Sequence, residues 1–152
     1  MKEKTLITFC VIILNGLVAI GMGHGFAFLF LIEANRFPDF LNIHLSDFSF
    51  SANSEQSLLV ASFLSMLGQL ILFFSFLIID NRKKSLVQIT GLLFLWSGFM
   101  YLSLPYFSSG AYILLLPTAI PFLILSGISF FKIVKHIIVL FQHNTSKNIL
   151  SN

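Results

Sequence analysis

Between Thr5 and Ile32 the chain runs for 28 residues without a single Asp, Glu, Lys or Arg. About 20 apolar residues suffice to carry a helix across a bilayer, and three further apolar runs follow, at about 55–79, 86–104 and 111–131. A chain of 152 residues cannot hide four such runs inside a water-soluble shell. Only 10% of its residues are charged and 57% are hydrophobic, whereas a soluble surface needs a charged fraction near ~25%. The expectation is therefore a single all-α, polytopic membrane domain over 1–143 with four transmembrane helices. Read as one helix, 5–32 would reach about 42 Å, more than the ~30 Å hydrocarbon core, so the first span should tilt or project. Met1-Lys2-Glu3-Lys4 before an apolar run resembles a signal peptide, but continuation of that run to Ile32 argues against one.

The segments between the runs set the orientation. Lys2 and Lys4, then Arg82, Lys83 and Lys84, then Lys132, Lys135 and Lys147 fall on one side of a four-span chain, against Arg36 alone in the long 33–54 loop. By the positive-inside rule both termini are cytoplasmic, which places the protein in the cell inner (plasma) membrane. That loop mixes Glu33, Arg36, Asp39, His44 and Asp47 with several phenylalanines, a composition suited to lying on the membrane interface or capping the bundle. Pro117 and Pro121 should kink the fourth span. Beyond Phe131, Lys132, Lys135, His136, Gln142 and His143 share one helical face, so 132–143 reads as an amphipathic extension on the membrane surface, with 144–152 as a flexible tail. The net charge of +3 arises from these flanks, so no direct nucleic-acid partner is implied.

Small residues mark where helices approach closely. Gly21 and Gly25 form a GxxxG pair, Ala19, Gly23 and Ala27 form a second row, and Gly16 lies one turn earlier; two small faces on one helix suit packing and homo-oligomerisation. In the second span, Ser57, Ala61, Ser65 and Gln69 recur every fourth residue, with Gly68 beside them.

Chemistry has few candidates. His24 is ionisable inside an apolar run, the usual mark of an ion, proton or ligand site; with Glu33 and Gln69 it could line a pathway. A helical 5–32 would place Glu33 about half a turn round from His24, so the two do not meet. Asn15, Gln69, Gln88 and Thr118 suit bridges between helices. The four histidines fall at different depths, which excludes a haem held by two of them, and no cysteine or carboxylate accompanies His136 and His143 to make a zinc site. No metal or cofactor is expected, and no nucleophile–base set or carboxylate pair suggests an enzyme. Arg82, Lys83, Lys84, Lys132, Lys135 and His136 together form a basic cytoplasmic surface suited to anionic lipid or a soluble protein partner.

In size, span number, orientation and lack of catalytic residues the chain resembles the KwaA family, the small four-span membrane subunits of the bacterial Kiwa anti-phage system. The resemblance lies in the topology as a whole and assigns no site residue. It implies a membrane sensor that anchors a cytoplasmic effector. The leading expectation is thus a non-enzymatic integral membrane subunit that oligomerises and signals to a cytoplasmic partner. The alternatives are a small channel or transporter with His24 in its pathway, or an intramembrane enzyme acting on a lipid or quinone.

Overall fold

A computed structural model describes residues 2–22, 25–44, 48, 54–109 and 112–150. The first apolar run is not one helix. Helix α1 spans Lys2–Gly16 and is followed by strands β1 (Ala19–Met22) and β2 (Gly25–Phe28), then by helix α2 (Leu29–Arg36). The reason lies in the side chains. From Val18 to Phe28 bulky and small residues alternate, and a period of two belongs to a strand. The antiparallel register sets each bulky residue against a small one: Ala19 opposite Phe28, Ile20 opposite Ala27, Gly21 opposite Phe26, Met22 opposite Gly25. Gly21 and Gly25 therefore lie on different strands, and the helical GxxxG face expected over 19–27 does not form. At 15 residues, α1 reaches only about 22 Å and is too short to cross the hydrocarbon alone.

Three helices among the described residues are long and apolar enough to cross a membrane, over Gln56–Leu77, Asn81–Ser103 and Leu115–Val139. They belong to α3 (Ser54–Phe74, extended by a 3-10 turn over Ser75–Leu77), α4 (Asn81–Ser109) and α5 (Tyr112–Leu150). Pro105 does not end the third run, because α4 continues past it to Ser109. Nor is 132–143 a separate element. α5 is a single helix of 39 residues with Pro117 and Pro121 inside it, and the basic residues after Phe131 belong to it.

The tightest contact is between α3 and α4, where glycines replace side chains. A Cβ on Gly68 would lie 2.9 Å from the Gly91 carbonyl oxygen, and one on Gly98 would lie 2.9 Å from that of Ala61 and 3.1 Å from the Ser65 nitrogen. The stripe of Ala61, Ser65 and Gly68 is thus the packing face of α3, as small residues in a span suggest. Leu72, Leu92, Leu95 and Phe122 fill the adjoining core.

Hydrogen bonds tie the remaining elements to this pair, in the bridging role expected of the polar residues in the spans. The Gln88 amide donates to the Thr8 hydroxyl at 3.3 Å, joining α1 to α4. The Trp96 indole N–H donates to Ser126 at 3.0 Å, joining α4 to α5. The Ala19 backbone N–H donates to Thr118 Oγ1 at 3.0 Å, anchoring the hairpin on α5. At the other end, Phe40, in the 3-10 turn over Phe37–Asn42, packs edge-on to Phe63, and Tyr101 donates to the Phe48 carbonyl; 45–47 and 49–53 lie outside the described residues.

Candidate functional site

The hairpin turns the chain back so that α2 lies against α3. In α2, residues Leu29, Ile32 and Glu33 are buried, the i, i+3, i+4 pattern of a core-facing stripe. Leu29 and Ile32 are what such a stripe requires. Glu33 is not, yet it is only 6% exposed.

Its carboxyl is met by neutral polar groups from α3. Gln69 Nε2 donates to both carboxyl oxygens, at 3.1 and 3.2 Å. The Ser65 hydroxyl, one turn earlier on α3, is also hydrogen-bonded to Glu33, and Asn15 Nδ2 at the end of α1 donates to Ser65 Oγ. Asn15, Ser65, Glu33 and Gln69 thus form one chain of hydrogen bonds joining α1, α2 and α3. No cation pairs with Glu33 among the described residues: Arg36, three residues on, makes its ion pair with Asp39 at 3.5 Å on the exposed side.

The electrostatics follow from this geometry. Removing a carboxylate from water penalises the charged form, and only an opposing charge or several donors can offset it. α2 lies outside the three apolar spans, and burial there pushes the Glu33 carboxyl above the ordinary carboxylate range, with the hydrogen bonds from Ser65 and Gln69 acting in the opposite sense. Either form can be accommodated. The carboxylate accepts from Gln69 and Ser65, while the protonated acid keeps one oxygen to accept and gains a donor.

Of the three residues proposed for a pathway, the structure therefore joins Glu33 and Gln69. His24 lies outside the described residues, as does Gly23. Gly16 sits at the end of α1, where an added Cβ would lie 3.4 Å from Phe30 Cβ; Ala19, Gly21, Gly25 and Ala27 lie in the hairpin. The basic residues gather at the opposite end of the bundle from the 33–54 loop. Arg82 and Lys83 are exposed in the first turn of α4. Lys84 and His136 line one cavity, and Lys132, Lys135 and His136 line a second. Among the described residues no group of three or more His, Cys, Asp and Glu side chains could hold a metal ion.

Ser65 and Asn15 were legible only as bridging or packing residues. Their place in the carboxyl cluster depends on the reversal at the hairpin, and the signal for that reversal was the alternation of bulky and small residues from Val18 to Phe28. No protein-family model, curated protein or solved structure matches this chain.

Proposed function

We propose that the protein is a non-enzymatic integral membrane protein in which Glu33 is a proton-binding site within a proton or cation pathway. The observation that supports this reading is the Glu33 carboxyl itself, buried between α2 and α3 and hydrogen-bonded to neutral groups. A buried carboxyl paired to a cation is a structural strut; one held by neutral amide and hydroxyl groups can lose and regain its proton without dismantling an ion pair. Asn15, Ser65 and Gln69 supply the polar groups that such a site needs inside an apolar bundle. Proteoliposomes with an internal pH dye test it. The wild type should relax an imposed pH gradient faster than empty vesicles and Glu33→Gln should abolish the difference while keeping the helical spectrum; equal rates for the two proteins sink the proposal.

A second reading keeps the protein as a membrane anchor and sensor for a soluble cytoplasmic partner, the role that the Kiwa-like topology implies. One observation favours it: α5 reaches about 58 Å at 39 residues, well beyond a ~30 Å hydrocarbon core, and carries Lys132, Lys135 and His136 along its later turns. In this reading the basic end faces the cytoplasm and copies assemble through the hairpin, where Phe26 is 62% exposed. A soluble protein encoded beside this one should co-purify with it, and Lys132→Glu with Lys135→Glu should release that partner. Retention by the double variant counts against this reading.

A further inference from the structure

The basic end of the bundle contains a built cavity whose α4 wall neither reading uses. Its volume is about 290 Å³, close to the lower limit of ~300 Å³ for small-molecule sites. It is lined by Thr5 of α1, Asn81, Lys84, Ser85 and Gln88 of α4, and His136 of α5. Asn81, Lys84, Ser85 and Gln88 are spaced i, i+3, i+4, i+7, so one face of α4 forms a wall of the cavity.

Three features of that wall favour an anion. First, the start of α4 places Arg82, Lys83 and Lys84 on the positive end of the helix dipole, an arrangement that costs stability unless a negative group offsets it. Asp80 offsets part of it, since its Oδ1 accepts from the Arg82 backbone N–H at 2.9 Å. Second, Ser85 is only 5% exposed yet lines the cavity beside Lys84, so its hydroxyl is available to a ligand oxygen in that space. Third, Lys84 is held over the Phe76 ring, 5.9 Å from its centroid, which fixes the ammonium near the cavity.

We infer that this cavity binds a phosphate group through Lys84, Ser85 and the first turn of α4, the group being carried by an anionic phospholipid headgroup or free in solution. Phosphate supplies acceptor oxygens for the Lys84 ammonium and the Ser85 hydroxyl, beside a helix N-terminus whose Arg82 and Lys84 N–H groups already donate to Asp80. The volume suits a headgroup fragment. The exposed apolar side chains of Leu77, Ile79 and Leu86 adjoin this end of the bundle and would lie against acyl chains.

The test uses the full-length protein, delipidated in a neutral detergent and titrated with short-chain phosphatidylglycerol, inorganic phosphate or short-chain phosphatidylcholine. Binding is read from Trp96 fluorescence and by native mass spectrometry. Saturable binding of phosphatidylglycerol but not phosphate identifies a lipid site; comparable binding of both identifies a general phosphate site. Lys84→Gln should weaken binding about tenfold, the loss of one charge-assisted hydrogen bond, and Ser85→Ala, a change that leaves charge and fold intact, should weaken it several-fold. Arg82→Gln, an exposed neighbour outside the cavity, should change affinity less than about twofold, as a screened surface charge does. The inference is overturned if neither phosphatidylglycerol nor phosphate binds saturably, if phosphatidylcholine binds as tightly, or if Arg82→Gln weakens binding as much as Lys84→Gln.

Discussion

Gly98→Ala is the sharpest probe of how the bundle holds together. The added Cβ would sit 2.9 Å from the Ala61 carbonyl oxygen and 3.1 Å from the Ser65 nitrogen. Both neighbours are backbone atoms of α3, so no side chain can swing aside and the helices must separate by several tenths of an ångström. Overpacking of this kind costs ~1–3 kcal/mol. Replacing glycine by alanine inside a helix returns ~0.5–1 kcal/mol. The net expectation is a loss of up to about 2.5 kcal/mol, centred near about 1 kcal/mol. Gly127→Ala supplies the control, because nothing lies within 4 Å of its added Cβ, leaving only the propensity gain. Reversible unfolding in mixed micelles, followed by Trp96 fluorescence and far-UV circular dichroism, should place the two variants on opposite sides of wild type. Trp96 is the only tryptophan and bridges α4 to α5 through Ser126, so its emission reports the packing. A Gly98→Ala protein as stable as Gly127→Ala would refute the close approach of α3 and α4.

Two further outcomes follow from the polar contacts. Because burial raises the proton affinity of Glu33 in the folded protein, the fold binds its proton more tightly than the unfolded chain. Stability is then greatest at acid pH and falls as pH rises above the ordinary carboxylate range of ~4.3. Glu33→Gln should flatten that dependence and stabilise the protein at pH 8, as unfolding midpoints across a pH series would show. Thr118→Val removes the acceptor for the Ala19 N–H while keeping side-chain volume; an orphaned buried donor costs ~1–3 kcal/mol, and hydrogen exchange at Ala19 should speed up even if α5 stays intact.

Hydropathy made α3, α4 and α5 legible because a span of some twenty apolar residues in lipid satisfies its backbone only as a helix. The second run, read as 55–79, is α3 with its 3-10 extension to Leu77. The stripe through Ala61 and Ser65 indicated which face of α3 packs, since small side chains at every fourth residue have no other advantage there. The first run was misread for the same reason that the others were read well. Hydropathy counts apolar residues without regard to their order, whereas the alternation from Val18 to Phe28 carries the period of a strand. Glu33 and Gln69 were each recognised as polar residues near a pathway. Their pairing was hidden, because it depends on a reversal between residues 22 and 25 that brings α2 against the middle of α3. The cavity at Lys84 and Ser85 was hidden for a related cause: it is made by one face of α4 meeting α1 and α5.

The continuity of α5 also has a mechanical consequence. The hairpin holds it at Thr118, Trp96 holds it at Ser126 and Ile133 is buried in the core, while the helix runs on to Leu150. The stretch beyond Ile133 forms an arm of about 26 Å. Tilting that arm by about 10° about Ile133 displaces its far end by about 4 Å, so the end of α5 beyond the core can act as a lever. A small shift of the core around Ile133 is thus magnified along the arm, and the turns nearest Leu150 travel furthest.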